Sequence, residues 1–201
     1  MIKAFQCFQT LIQDTRNTTV LYDYLHDYVM PPYDYSDLLR WQWTQSVSAL
    51  DKLIHDLIRI GMRESFVGTK PATDAFLNFA ISVGTLQQIK QTPIASPMIF
   101  EQYITLKNKT LSFQEPSKIA EGLSYIWSEK HKWQAISLQM GMSEADVKTE
   151  LKNISIRRNQ IVHEGDYISS GLSRQAIEKT DADEVIDFIE QLGTAIYNLV
   201  R

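Results

Sequence analysis

The stretch SIRRNQIVHEGD, Ser155 to Asp166, decides how the rest of the chain is read. Its apolar residues recur at helical spacing, with Ile161 and Val162 expected to turn towards a bundle and Ile154 just upstream to join them. Two arginines, an asparagine and a histidine interrupt the pattern, and Gly165 is well placed to end the helix as a left-handed cap. That cap puts His163 in the last turn, where the helix dipole favours an imidazolium. At about 100° per residue, Asn159 and His163 lie roughly 40° apart on one face. Arg158 lies roughly 140° round from His163, and Arg157 is offset by a comparable angle the other way, so spacing alone does not choose between them.

Upstream, Ser143 followed by acidic Glu144 and Asp146 opens this helix, which spans Ser143 to His163. Downstream, a connector from Gly165 to Thr180 precedes a closing amphipathic helix from Asp181 to Val200. The same periodicity places helices at about Ile2 to Tyr28, Ser36 to Gly61, Thr73 to Lys90, Met98 to Lys109 and Ser117 to Met140. Consecutive prolines at Pro31 and Pro32 break the first from the second, which Asp34 or Ser36 can cap. No strand alternation competes. The expectation is an all-α, single-domain helical bundle of about six to seven helices over residues 1–201.

Composition narrows the function. With 8 Gly and 6 Pro in 201 residues, a turn-rich β fold is disfavoured. One cysteine, Cys7, allows no internal disulfide, and no apolar run approaches a membrane span or a signal peptide's apolar segment, so a cytoplasmic protein without membrane attachment is expected. The net charge of -4 argues against broad nucleic-acid affinity, so any RNA contact must be local. Lys148, Lys152, Arg157 and Arg158, or Arg59 and Arg63, could supply such a patch; a solvated face is the alternative. Four scattered histidines without zinc spacing, and no phosphate-cradling glycine loop or nucleophile elbow, lead to an expectation of no metal and no cofactor.

A guanidinium beside a histidine makes a phosphate site: Arg binds phosphate oxygens bidentately, and His donates or accepts a proton. His163 with either Arg157 or Arg158 makes the candidate pair, and Asn159 can orient either partner. Asp51, His55 and Arg59 fall at i, i+4 and i+8 on one helical stripe. Asp51 would stand behind the active arginine and His55 would add a polar contact, or the stripe is a solvated face with i,i+4 pairing. His26 and His131 read as surface positions. The aromatic run from Tyr22 through Tyr24, Tyr28, Tyr33, Tyr35 and Trp41 to Trp43 reads as core and interhelix packing, with base stacking the alternative.

The string Arg158-Asn159-Gln160-Ile161-Val162-His163 resembles the R-N-x-x-x-H form of the Rx4-6H motif of HEPN domains. SALDKLIHDLIRIGM, Ser48 to Met62, is similar to the long early helix of the branch related to RNA-ligase- and phosphatase-associated HEPN domains, and the resemblance covers about Ser36 to Val200. It implies a metal-independent endoribonuclease of a toxin-antitoxin or antiviral defence system, with Arg158 and His163 catalytic, Asn159 orienting them and Arg157 in support. It also implies a homodimer whose facing motif helices form one cleft with two Arg and two His, acting on RNA to leave a 2′,3′-cyclic phosphate or its hydrolysis product. Control by an antitoxin or another defence-system protein is expected. Two other readings stand beside it. One is a non-catalytic HEPN-like module that binds a protein partner or a nucleotide. In the other, Arg158 pairs with acidic groups and His163 merely caps its helix.

Overall fold

A computed structural model describes residues 1–168, 171 and 173–201. Among these residues there are nine α-helices and no strand; one isolated antiparallel bridge joins Tyr167 to Arg174. The helices are α1 (Ile2–Tyr24), α2 (Asp37–Phe66), α3 (Asp74–Leu77), α4 (Val83–Gln91), α5 (Ser96–Asn108), α6 (Pro116–Leu123), α7 (Lys132–Met140), α8 (Glu144–Glu164) and α9 (Lys179–Val200). The all-α expectation holds, with more helices than the six to seven expected. The additions come from two splits.

The segment expected as one helix from Thr73 to Lys90 is two, because the Thr73 and Ser82 side chains each cap a separate start, accepting from Phe76 and Thr85 amides. The segment from Ser117 to Met140 breaks at residues 124–131. There the Ser124 hydroxyl bonds back to the Ala120 carbonyl, and Ile126 is buried at the bend. Neither break contains glycine or proline, so tertiary packing and side-chain caps overrode a continuous periodic pattern.

The long α2 is the axis of the bundle. Leu39, Trp43, Val47, Leu50, Leu53, Ile54, Leu57, Ile58 and Met62 are all buried on it, more than one stripe's worth, because α1, α5, α8 and α9 pack around it. Ala182, Val185, Ile186, Ile189, Leu192 and Ile196 on α9 close the same core. Helices approach so closely at Gly193 that a Cβ there would lie 2.4 Å from the Phe8 ring and 3.2 Å from Leu53. Gly193→Ala is therefore expected to destabilise the chain by about 1–3 kcal/mol through overpacking. A urea titration with an unchanged midpoint would show that the ring gives way freely.

The first helix ends as its closing turn widens into a π-helical segment, Leu25–Val29, stopped by Met30 in the left-handed region at φ 43° ahead of Pro31. The aromatic run that follows does not fill the core as expected. Only Trp43 is buried; Tyr22 packs against the core and against the Tyr35 ring, with centroids 5.3 Å apart, while Tyr24, Tyr28, Tyr33 and Trp41 are exposed. No helix of the described residues is long and apolar enough to cross a membrane.

Candidate functional site

The motif stretch lies on α8 as its sequence requires. Ser143 caps the start by accepting the Asp146 amide, and Val147, Leu151 and Ile154 anchor the helix in the core. Gly165 ends it at φ 63°, the left-handed cap expected. Ile161 packs against the core, whereas Val162 is 48 % exposed, a correction to the expectation that both face the bundle. By angle Val162 lies within the buried stripe, roughly 20° from Leu151, so its exposure comes from its place near the end of α8, about 16 Å further along the axis, and not from its direction.

Beyond the glycine sits a feature whose partner the local sequence does not announce. Asp166 also adopts a left-handed conformation, at φ 63°, and is wholly buried. Its carboxylate accepts from Arg40 Nε at 2.8 Å, and Arg157 stands 3.4 Å away. Arg40, itself buried on α2, also donates to Ser36 Oγ at 2.6 Å and to the Gln175 carbonyl at 2.7 Å. The Asp166 carbonyl in turn accepts the Gln175 amide at 2.8 Å. The end of α8 is thus clamped between α2 and the segment leading into α9.

The structure separates the two arginines that spacing left equal. Arg157 is taken up structurally: it donates to the Ala176 carbonyl at 2.7 Å, and its guanidinium lies 5.1 Å from the Trp43 ring centre. Trp43 donates its indole N–H to the Ile154 carbonyl at 3.0 Å, so Arg157 and Trp43 together fasten α8 to α2. Arg158 instead lines a cleft between α8 and the 110–115 segment. It donates to Asn159 Oδ1 at 3.1 Å, pairs with no carboxylate among the described residues, and has a buried Nε without a partner. His163 lies exposed in the last turn with no hydrogen bond among the described residues. The structure brings Arg158 and Asn159 together. His163 sits about 140° round the helix and about 7.5 Å along it, so one copy does not converge the two catalytic candidates on one face.

Asp51 and His55 do not stand behind Arg158. Asp51 accepts the Phe113 backbone N–H and lies 3.7 Å from His55, whose Nε2 is 3.3 Å from the Leu111 carbonyl. Both hold the 110–115 segment, which forms the wall opposite Arg158. Arg59 leaves the stripe to bind Asp56 and Glu101, and Arg63 also pairs with Glu101, so this cationic pair is neutralised. Lys148 pairs with Glu144, while Lys152 is exposed beside the cleft. His26 and His131 are exposed, as expected. Among the described residues no group of three His, Cys, Asp or Glu is placed to hold a metal ion.

Sequence reasoning missed Arg40, Asp166, Ser155 and the 110–115 wall. Only the aspartate after the glycine stop was a usable signal, and its partner lies 126 residues away. A family model described as RiboL-PSP-HEPN matches residues 9–201 of the chain. No curated protein and no solved structure matches it significantly.

Proposed function

This chain belongs to the RiboL-PSP-HEPN family, and on that premise we propose that it is a metal-independent endoribonuclease that acts as a homodimer. The observation that carries the reading is that Arg158, Asn159 and His163 stand on a helix clamped at its end, with neither Arg158 nor His163 engaged by a carboxylate among the described residues. The structural reading called for Arg158 to pair with acidic groups, and among the described residues its partner is the Asn159 amide oxygen instead.

The 140° offset gives the second copy its role. With two α8 helices face to face, His163 of one copy lies near Arg158 of the other. Ile156 and Val162, each 48 % exposed, provide apolar surface for that contact. One His163 accepts the 2′-hydroxyl proton as O2′ attacks phosphorus. The other protonates the departing 5′-oxygen as the P–O5′ bond breaks, and the two Arg158 guanidinia stabilise charge on the pentavalent phosphorus. Products carry a 2′,3′-cyclic phosphate and a 5′-hydroxyl. An unregulated enzyme of this kind would damage its own cell, so it serves as a toxin or effector in a toxin-antitoxin or antiviral defence system, restrained by a protein partner in the cytoplasm.

A second reading, a non-catalytic module that binds a protein partner, draws on the exposed Val20, Tyr24, Tyr28, Met30 and Tyr33. The deciding experiment incubates the chain, shown to be dimeric by light scattering, with mixed single-stranded RNAs in excess EDTA. Cyclic-phosphate ends are expected. A folded dimer that cuts only when a divalent metal is restored, or leaves 3′-hydroxyl ends, overturns the nuclease mechanism; a folded dimer that never cuts favours the module.

A further inference from the structure

We propose that the cleft between α8 and residues 110–115 reads a nucleotide of the RNA strand, holding an unpaired base next to the scissile phosphate. This rests on the ribonuclease reading above and adds a specificity site to it. Thr110, Ser112 and Gln114 form one wall, and Ser155, Arg158 and Asn159 the other, around about 450 Å³. That volume falls within the usual range of small-molecule sites, roughly 300–1,000 Å³.

Residues 110–115 connect α5 to α6, and three helices fix them from behind. Asp51 on α2 accepts the Phe113 amide, and His55 lies at the Leu111 carbonyl. Ser155 on α8 donates to the Gln114 carbonyl at 2.6 Å, and Trp133 on α7 donates to the Pro116 carbonyl at 3.0 Å. The Phe113 ring is buried beneath. These anchors use backbone groups, which leaves the Ser112 and Gln114 side chains without a hydrogen-bond partner among the described residues, and both residues line the cleft. A wall held this firmly pays little ordering entropy when a ligand arrives.

The chemistry on offer suits a base more than a phosphate alone. Gln114 and Asn159 each present both a donor and an acceptor, the combination that base edges require, and Glu115 can accept from an exocyclic amino group. Leu111, 45 % exposed, offers apolar surface to a ring face. Arg158, with its unpartnered Nε, marks the phosphate end. The occupant is a strand and not an isolated metabolite, because a second cleft of about 410 Å³ shares Glu115, Ser155 and Asn159 with the first and continues past Lys148 and Lys152. Lys152, which has no carboxylate partner among the described residues, follows a backbone along this channel while Lys148 is held by Glu144, and the hydrogen-bonding wall reads a base within it.

The test uses two readouts on the full chain. In the first, wild type and Gln114→Ala cut a random single-stranded RNA library, and the nucleotides flanking each cut are counted. Wild type is expected to favour one base at a flanking position by about tenfold, and the variant to lose that preference while still cutting. Ser112→Ala, at an exposed position, is expected to weaken it in the same direction. An identical cutting spectrum in all three proteins overturns the proposal and leaves the nuclease reading intact. In the second, anisotropy follows labelled homopolymeric RNAs on His163→Ala with and without Gln114→Ala. Discrimination among homopolymers that disappears with Gln114 supports the reading site even if the wild type proves unable to cut. Equal binding of all homopolymers by both proteins overturns it.

Discussion

His163→Ala is expected to lower RNA cleavage by about 10²–10⁴-fold, the usual worth of a positioned acid or base. Because each dimer supplies two copies to one turnover, the loss should lie towards the upper end of that range. Stability should barely change. His163 is exposed, makes no hydrogen bond among the described residues, and contributes only its helix-end electrostatics, about 0.3–1 kcal/mol when charged. Thermal unfolding together with single-turnover cleavage checks both halves. A variant that still cuts at the wild-type rate removes His163 from the chemistry. One that loses several kcal/mol shows instead that the histidine holds the helix end. Mixing inactive His163→Ala with inactive Arg158→Ala probes the shared cleft further: heterodimers that regain part of the activity would place one complementary pair across the interface.

Arg40→Ala is expected to cost about 3–5 kcal/mol, the largest stability loss from any single polar residue discussed above. The reason is what remains behind. Asp166, wholly buried, loses its closest cation, leaving Arg157 at 3.4 Å, while the Gln175 carbonyl loses a donor. For a chain of this length each kcal/mol lowers the melting point by roughly 2–4 °C, so a drop on the order of 10 °C should appear. The paired variant Arg40→Gln with Asp166→Asn removes both charges, and asparagine tolerates the left-handed backbone at this position, so it should recover much of the loss. A drop below about 1 kcal/mol in Arg40→Ala would mean that water reaches Asp166 and the clamp is not needed. The clamp also bears on function, since it sets where the last turn of α8, and with it His163, is held.

Much of the architecture was legible before any coordinates. The start of α8 at Ser143 and its stop at Gly165 depend on backbone groups within one turn of each residue, and local side chains announce such caps. The start of α9 was less accurately read: Thr180 was expected before it, but Glu178 and Asp181 form the capping box. Helix breaks without glycine or proline, at residues 78–82 and 124–131, were hidden because Ser82 and Ser124 act through contacts that a periodic apolar pattern does not display. The aromatic run misled for a related reason. Spacing shows which side chains share a face, but whether Tyr24 and Tyr28 are covered depends on how far neighbouring helices extend.

The sequence by itself determined the helical class and the glycine-terminated motif helix, and it offered Arg158, Asn159 and His163 as candidates, because hydrophobic period, capping and motif spacing all operate within a few residues along one chain segment. Only the tertiary structure decided that Arg157 is consumed by Trp43, Ala176 and Asp166 while Arg158 opens on a cleft, that Asp51 and His55 hold the opposite wall, and that Arg40 clamps the helix end. Each of those depends on partners brought together by folding from segments tens to more than a hundred residues apart. Burial, which turns a surface charge into a structural one, exists only once the helices have packed.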